Sequence, residues 1–584
     1  MQHSSDPVPH EASSNSGLSV PRPSPPRITS KGWSVPELCR KYEKFQPVRR
    51  ISALSPPDVI AKALEEYEQD GLPLIISDWH KHPKWPQDIF NLEWLIQTSG
   101  DTEIHVRNLH NRQDQSMSLS EFVKKSQSQS RYTVPGETER LYWKDADCPL
   151  EWKDWLLRSG AIPTSVLPAS PDDYLGYLFP SEAVESLLCY MGIGDTYTAS
   201  HKDLCASSGH NLMCFSEENA SSFWFMTASN DAPRVAEYFQ KKLKQELDWE
   251  THVTTVDELG NAPTTVYVAE QKVGDLVLVP PRSCHQVVNC GGLAMKTSWS
   301  RMTLDSLEKA LHCELPVYRR VCRPEQYRVK TILYRSMLHL TKVLQQELGD
   351  YNSPSPELGT PEPSPSESVG KLAECGRKLR RLVQLFDEVL HEEYSSTHAE
   401  MKHMVSYESS AGWMVADGSA PDDNAAGPSS SSGGRLILRP PADQRERQEE
   451  RYDRSRNESF TLACDFCGAD IFQSFFECNR CREPEPGVEA QIGDGLLICP
   501  GCYVEGRSCL CDMLEPVQCR PFDTLVLDRN SAAKAISSVL PHEEHVETLE
   551  KSSILGKDDS YVFEAACALY LLRMQRLEKV TNFF

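Results

Sequence analysis

The sequence lacks any long apolar run. No apolar stretch reaches the roughly 18 residues that a membrane-spanning helix requires, so we expect no transmembrane helix and no membrane partner. The N-terminal stretch MQHSSDPVPHEASSNSG also lacks the basic start and the apolar core of a secretory signal. We therefore expect the chain in the cytosol or the nucleus, where disulfides are rare.

An excess of basic residues is also missing. The 61 lysines and arginines are outnumbered by 84 aspartates and glutamates, which gives a net charge of −23. DNA binding depends on clustered Lys and Arg, so direct sequence-specific DNA binding is not expected. An acidic chain is compatible with a basic protein partner, although acidity also simply keeps a large protein in solution.

Cysteine, by contrast, is abundant and unevenly placed. Of the 20 cysteines, nine fall between Cys464 and Cys519. In a reducing compartment such a cluster indicates metal ligation rather than cross-linking. Three C-x₂-C pairs and one C-x-C pair supply eight thiolates, enough for two tetrahedral Zn(II) sites. The candidate zinc ligands are Cys464, Cys467, Cys478, Cys481, Cys499, Cys502, Cys509 and Cys511.

The way these thiolates share two zinc ions is open. Small knuckle folds often interleave their pairs, so we expect the first and third pairs on one zinc and the second and fourth on the other. Sequential pairing is the alternative, and Cys519 could replace Cys509 as a ligand. Structural zinc supplies much of the folding free energy of such modules, so a chelator is expected to unfold residues 458–530 alone.

Composition divides the chain into folded blocks and stretches predicted to be disordered. Stretches rich in Ser, Pro or charge cannot bury enough apolar surface to fold, and they cover residues 1–30, 351–370 and 405–457. The remaining ranges are a large block at 31–350, a helical segment at 371–404, the cysteine-rich block at 458–530 and a helical tail at 531–584. In the helical segment one apolar stripe, expected to pack on a domain or a partner, comprises Leu379, Leu382, Leu385 and Phe386.

The large block mixes helical patterns with many short apolar runs. Helices are predicted at 57–70 and 233–247. Strands are predicted at 72–77, 102–108, 186–191, 211–215, 222–227 and 275–280. Many short strands at close spacing in one domain favour a double-sheet barrel or jelly roll, and hence an α+β fold.

Two histidines and one aspartate in this block suit a metal site. His201 and Asp203 follow a predicted strand, and side chains two residues apart on an extended strand point to the same face. His285 follows another predicted strand and a Pro-Pro turn. Two imidazoles and one carboxylate on one face of an octahedron leave open positions and suit non-haem Fe(II). The His-x-Asp triplet alone is more often a surface hydrogen bond or a core histidine.

These motifs resemble those of the JmjC-domain, 2-oxoglutarate-dependent Fe(II) oxygenases. The family's His-x-Asp…His motif matches His201, Asp203 and His285. YTASHKD, LYWKDADCPLEW and VGDLVLVPPRSCHQVVNCGGLAMK resemble stretches of JmjC demethylases, the last of the hairless type, which act on mono- and dimethylated lysine 9 of histone H3. The cysteine block resembles the zinc finger of the hairless-type proteins, in which the finger precedes the JmjC domain instead of following it.

The resemblance implies a fold, cofactors and partners. The fold is a double-stranded β-helix, or jelly-roll, barrel with flanking helices, and 31–350 is its catalytic domain. The implied catalytic residues and iron ligands are His201, Asp203 and His285, with Fe(II) as the metal and 2-oxoglutarate as the co-substrate. A histone tail or another basic protein is the implied substrate, with chromatin proteins as partners and the nucleus as location. A catalytically inactive JmjC scaffold and a hydroxylase of a non-histone protein stay open.

The sequence departs from the family pattern at the residue that binds the distal carboxylate of 2-oxoglutarate. Many JmjC enzymes carry a Lys on the strand after the first motif, but the stretch ENASSFWF has neither Lys nor Arg. A buried carboxylate without a cation is costly, so we assign this role to Lys296, which follows His285 by 11 residues. Thr198 is expected to add a hydroxyl and Asn211 to contact the other end of the co-substrate. Ordinary strand hydrogen bonding is the alternative for these two residues. For Lys296 the alternative is a solvent-facing strand residue, with Arg301 as the fallback cation.

Overall fold

The structure, a computed structural model, covers most of the folded blocks. It describes residues 28–180, 182–352, 365–395, 402–403, 462–481, 495–519, 522–540, 546–550 and 562–581. The disorder predicted for 1–27, 353–364 and 405–457 lies outside these ranges. None of the helices in the described ranges combines the length and the apolar character needed to cross a membrane.

Among the described residues of the large block, fourteen strands form two sheets. The strands are β1 (Phe45–Pro47), β2 (Arg49–Ser52), β3 (Leu74–Ser77), β4 (Glu103–Asn108), β5 (Gln113–Ser118), β6 (Leu141–Asp147), β7 (Leu188–Gly192), β8 (Tyr197–His201), β9 (Ser208–Ser216), β10 (Ser221–Met226), β11 (Val266–Gln271), β12 (Leu276–Val279), β13 (His285–Cys290) and β14 (Ala294–Arg301). The small sheet has the order β1-β11-β10-β13-β8, and the large sheet has the order β2-β3-β12-β9-β14-β7-β6-β4-β5.

Strands β7 to β14 build the predicted jelly roll. Four of them, β12-β9-β14-β7, are neighbours in the large sheet, and the other four, β11-β10-β13-β8, are neighbours in the small sheet. Val277 from the large sheet and Met226 and Val287 from the small sheet belong to one buried cluster. Because side chains from both sheets meet there, the two sheets close into a barrel with an apolar interior, as expected for a jelly roll.

Helices pack against both sheets and extend beyond them. They are α1 (Val35–Lys41), α2 (Pro57–Asp70), α3 (Leu92–Ser99), α4 (Leu119–Ser128), α5 (Leu150–Arg158), α6 (Ala232–Tyr238), α7 (Val256–Gly260), α8 (Leu304–Lys309), α9 (Leu315–Val321), α10 (Val329–Asn352) and α11 (Pro365–Glu392). Helix α2 coincides with the predicted range 57–70, and it buries Ile60, Leu64 and Tyr67 at helical spacing.

The second predicted helix, 233–247, is shorter than expected. Helix α6 continues as a single wide turn, Phe239–Leu243, and then stops. Lys244 adopts a left-handed conformation with φ of 56°, and its backbone N–H closes onto the carbonyl of Phe239. This C-terminal cap ends the helix, and the apolar spacing of the sequence did not reveal it.

The cysteine-rich block folds around a separate small sheet. Its strands are β15 (Lys402–His403), β16 (Ser474–Cys478), β17 (Leu496–Ile498) and β18 (Glu515–Gln518), and its helices are α12 (Pro500–Val504), α13 (Phe522–Val539) and α14 (Val562–Thr581). The sheet has the order β15-β18-β16-β17. Strand β15 comes from the predicted helical segment and pairs with β18, so the two parts of the chain share one sheet.

Three predicted boundaries need correction. At the N-terminus the predicted disorder of 1–30 ends early, because the hydroxyl of buried Ser30 donates to Asp195 at 2.8 Å. Helix α11 begins at Pro365, inside the predicted linker 351–370. Helix α13 begins at Phe522, inside the predicted block 458–530, and buries its apolar face in a core that it shares with α10 and α11. Tertiary packing, which composition does not report, sets the limits at Ser30 and Phe522.

The apolar stripe of the helical segment is part of this shared core. Leu379, Leu382, Leu385 and Phe386 are all buried there. The ring of Phe386 stacks on Tyr334 of α10, with ring centroids 5.4 Å apart. The helical segment therefore packs onto a domain of the same chain, which was one of the two expectations; the other was a partner protein.

Candidate iron, co-substrate and zinc sites

The two histidines of the predicted triad are brought together by strand pairing. Strand β8 lies antiparallel to β13, and His201 is the direct partner of His285 in this register. The register shifts between His285 and Val287, which marks a bulge next to the histidine. The two rings have centroids 4.0 Å apart. A pair that is 84 positions apart in sequence thus becomes a cross-strand pair at one end of the barrel.

Backbone carbonyls hold both imidazoles in one orientation. The Nδ1 of His201 lies 2.8 Å from the carbonyl oxygen of Ala199, and the Nδ1 of His285 lies 3.0 Å from that of Ser283. A carbonyl only accepts, so Nδ1 carries the proton in each ring. The Nε2 atoms then keep their lone pairs, which is the state in which a histidine binds a metal.

Asp203 completes the triad just beyond the end of β8. Its Oδ1 lies 3.8 Å from Nε2 of His285, and one ligand atom from each of the three residues lies within 4.8 Å of the others. Its Oδ2 is buried and has no hydrogen-bond partner among the described residues. An orphaned buried carboxylate oxygen is costly. The three donors therefore fit a divalent cation, which would satisfy this oxygen.

The surroundings of the triad favour a neutral His201 and a closely packed Asp203. Burial and the neighbouring His285 lower the pKa of His201 to about 3. The ring of His285 stacks on Trp224 at a centroid distance of 6.1 Å. Gly209 passes so close to Asp203 that a Cβ at this position would collide with Oδ2. The sequence analysis missed Trp224 and Gly209, since neither has a motif that marks it.

A cavity of about 830 Å³ opens in front of the triad. Besides the triad, it is lined by the predicted co-substrate residues Thr198, Asn211 and Lys296. This volume is in the usual range for small-molecule sites. One cavity thus brings together all six residues that the sequence analysis assigned to iron and 2-oxoglutarate.

Lys296 is buried in the barrel and is only 1% exposed. Its ammonium donates to Asn289 Oδ1 at 2.7 Å and to Ser222 Oγ at 3.0 Å. Burial lowers its pKa to about 7, and no carboxylate of the described residues lies within ion-pair distance of it. A buried cation with neutral partners only is a suitable site for the carboxylate of a ligand. Asn289 and Ser222 were not foreseen, since they become neighbours only through the pairing of β10 with β13.

The other basic candidate on β14 points away from the cavity. Arg301 is buried outside the lining, where its Nε donates to Ser170 Oγ at 3.2 Å. Thr198 lies with its hydroxyl 3.5 Å from that of Tyr142, and the side-chain oxygen of Asn211 accepts from Gln271 at 3.0 Å. The hydroxyl of Thr198 and the amide of Asn211 thus have protein partners already, so their roles towards a co-substrate stay predictions.

The eight predicted zinc ligands form two groups of four thiols. The first, named here zinc cluster 1, comprises Cys464, Cys467, Cys499 and Cys502, and zinc cluster 2 comprises Cys478, Cys481, Cys509 and Cys511. This is the interleaved arrangement, and Cys519 belongs to neither group. Sγ atoms lie 3.8 Å apart between Cys467 and Cys499 and 3.4 Å apart between Cys478 and Cys511. These distances are too long for disulfide bonds. They are close to the sulfur–sulfur distance of about 3.8 Å that is expected when four Zn–S bonds of about 2.3 Å point to the corners of a tetrahedron.

Comparison with known proteins supports the assignment of the barrel. Residues 188–300, which correspond to β7 to β14, match the family described as JmjC domain, hydroxylase. C-module-binding factor A of Dictyostelium discoideum is 32% identical over 254 residues, which are 43% of this chain and 25% of that protein. The match therefore spans a quarter of the relative's length. The predicted resemblance to the JmjC family is confirmed, and a JmjC domain implies the use of Fe(II) and 2-oxoglutarate.

Proposed function

We propose that the protein is a 2-oxoglutarate- and Fe(II)-dependent dioxygenase that demethylates lysine in a histone tail, with mono- and dimethylated lysine 9 of histone H3 favoured. The observation that carries the oxygenase part is the geometry of His201, Asp203 and His285 on the wall of one cavity. Lysine demethylation and the nuclear, chromatin-associated setting rest on the sequence resemblance to the hairless-type demethylases.

In this proposal the triad residues would hold the iron through two imidazoles and one carboxylate. The iron, when bound with 2-oxoglutarate and oxygen, supplies the oxidising power for hydroxylation. The carbonyls of Ala199 and Ser283 keep Nε2 of each histidine directed at the metal. The ammonium of Lys296 binds the distal carboxylate of 2-oxoglutarate. Hydroxylation would convert an N-methyl group of the lysine into an N-hydroxymethyl group, whose C–N bond then breaks: the carbon leaves as formaldehyde and the hydroxyl proton passes to the nitrogen.

The lining of the cavity supports a basic substrate. Three exposed acidic side chains, Asp145, Glu185 and Glu250, line the cavity, and each forms an ion pair, with Lys144, Lys153 and Arg323 respectively. Tyr190 donates its hydroxyl to Asp145 at 2.9 Å, and its ring lies 6.4 Å from that of Tyr142. Acidic groups and aromatic faces both attract an alkylammonium group. The net charge of −23 acts in the same direction over longer distances.

The test is a reaction of the purified protein with Fe(II), 2-oxoglutarate and a panel of methylated histone peptides, read by mass spectrometry. Demethylation removes the mass of one CH₂ from the peptide, and the H3 lysine 9 peptides are expected to react fastest. Asp203→Ala is the control, because it removes a ligand without touching the rest of the cavity. A wild-type protein that neither binds 2-oxoglutarate nor produces succinate would support the inactive scaffold instead.

A hydroxylase of a non-histone protein is the second candidate. It is favoured by the family description, JmjC domain, hydroxylase, which covers residues 188–300. The two functions share the iron site and differ in the product. A stable gain of one oxygen in a peptide, with no loss of a methyl group, would identify the hydroxylase.

A further inference from the structure

Residues 322–327, named here the wall segment, form one side of the cavity that contains the triad. Arg323, Pro324 and Tyr327 are among the lining residues. The hydroxyl of Tyr327 donates to Ser300 Oγ on β14 at 3.0 Å. The guanidinium of Arg323 donates to Asp248 at 3.1 Å. The wall segment is therefore attached to the barrel on its inner side.

On its outer side the wall segment is attached to zinc cluster 1. The N–H of Glu325 donates to the carbonyl of Gly468, which directly follows the ligand Cys467, at 2.9 Å. In return, the N–H of Asp470 donates to Glu325 Oε2 at 3.2 Å. Glu325 Oε1 accepts from the N–H of Val329, the first residue of α10, at 2.8 Å. One side chain thus joins the first cysteine knuckle to the start of a core helix.

Gly468 makes this junction sterically tight. It has a φ of +73°, which favours glycine, and a Cβ at this position would lie 2.8 Å from the backbone Cα of Pro324. Backbone cannot move aside as the end of a flexible side chain can. The knuckle and Pro324 therefore cannot shift independently of each other.

From the wall segment, a chain of buried contacts leads to the triad. Asp248, which accepts from Arg323, also lies 3.2 Å from the ammonium of Lys202. Lys202 is 4% exposed and stands between His201 and Asp203 in sequence. A displaced Arg323 would break its buried ion pair with Asp248, which is costly. The position of the wall segment thus affects the end of β8, where His201 and Asp203 supply two of the three proposed iron ligands.

We propose that zinc cluster 1 positions the active site: metal binding by Cys464, Cys467, Cys499 and Cys502 fixes the knuckle, and the knuckle fixes the wall segment. Gly468 and Glu325 are then positioning residues, since they touch neither substrate nor iron. The physical coupling is independent of the proposed function, and its consequence for 2-oxoglutarate binding rests on that function.

Two glycine substitutions in the same module test the coupling. Gly468→Ala forces the knuckle against Pro324. Gly506→Ala is the matched control, because Gly506 also has a positive φ, of +90°, but no atom lies within 4 Å of its Cβ position. Both variants are expected to retain two zinc ions per chain by elemental analysis. The readout is hydrogen–deuterium exchange of the backbone amides in the full-length protein.

Gly468→Ala is expected to speed exchange across the wall segment about tenfold relative to Gly506→Ala. The same change is expected at the amide of Cys205, which donates to the hydroxyl of Tyr318 at 2.9 Å. The guanidinium carbon of Arg323 lies 4.6 Å from the ring centroid of Tyr318. Exchange at the Cys205 amide therefore reports whether a displacement of Arg323 reaches the residues next to the triad. Equal exchange at these sites in both variants and the wild type would overturn the proposal.

The dissociation constant of 2-oxoglutarate provides a second readout. It is expected to rise about fivefold in Gly468→Ala and to stay unchanged in Gly506→Ala. A wild type that binds no 2-oxoglutarate would refute the proposed function, while the exchange data would still decide on the coupling. If Gly468→Ala loses zinc or fails to fold, Glu325→Gln decides with the same exchange readout, because it leaves the knuckle backbone unchanged. Wild-type exchange in that variant would overturn the coupling.

Discussion

Replacing Lys296 with methionine is expected to weaken 2-oxoglutarate binding while the iron site survives. The ammonium is 1% exposed, and the hydrogen-bond partners described for it are two neutral side chains. Methionine keeps much of the volume, so the loss reflects the missing charge. Removing one partner of a buried ion pair costs about 3–5 kcal/mol. Part of this cost is offset, because the ligand-free variant no longer buries an unpaired ammonium. A net loss of about 1.4–3 kcal/mol raises the dissociation constant about tenfold to 150-fold.

The pH dependence of 2-oxoglutarate binding tests the same group independently. Burial lowers the pKa of Lys296 to about 7 in the free protein, and a bound carboxylate raises it again. Binding is therefore tightest below about pH 7, where the lysine is already charged. It weakens by up to about tenfold per pH unit above that value, because each binding event must then take up a proton.

The assay is isothermal titration with 2-oxoglutarate in the presence of Mn(II), repeated in buffers of different ionisation enthalpy at pH 6 to 9. The wild type is expected to take up protons in the upper half of this range, and Lys296→Met is expected to take up none. Arg301→Ala is the control cation, since it lies outside the cavity, and it should change the affinity much less. A Lys296→Met variant with wild-type affinity, or a wild type with flat pH dependence, would refute the assignment.

Three further outcomes follow from the structure. Gly209→Ala should weaken Co(II) binding at the triad, measured by visible absorption, because the added methyl displaces Asp203. Cys464→Ser should lower the zinc content from two to one per chain, whereas Cys519→Ser should leave both ions in place; the opposite result would show that Cys519 is a ligand. Lys296→Met should raise the melting temperature of the ligand-free protein near pH 7, because the uncompensated burial of a charge is removed.

Chelation of zinc is now expected to reach beyond the cysteine-rich block. The sequence analysis predicted that only residues 458–530 would unfold. In the structure, β15 and β18 share a sheet, and α13 shares its core with α10 and α11. Elements that share a buried core lose stability together. Zinc removal should therefore also expose amides of α11 to exchange.

Much of the fold and of the candidate site follows from local patterns. The spacing of apolar residues predicted α2 over 57–70, and short apolar runs predicted the barrel strands β7, β9, β10 and β12 to within a few residues, while β8, β11, β13 and β14 had no predicted range. The ligand chemistry of His201, Asp203 and the four cysteine pairs is likewise carried by residue types at fixed spacing. Such features depend on neighbours in sequence, so the sequence by itself determined them.

Only the tertiary structure decided which distant residues become neighbours. The pairing of β8 with β13 places His201 opposite His285, and the pairing of β10 with β13 places Asn289 and Ser222 around Lys296. The contact of Gly468 with Pro324 joins a zinc knuckle to the cavity wall across 144 positions of sequence. These contacts depend on strand order, register and helix packing, because burial of the whole core selects them and no local motif specifies them.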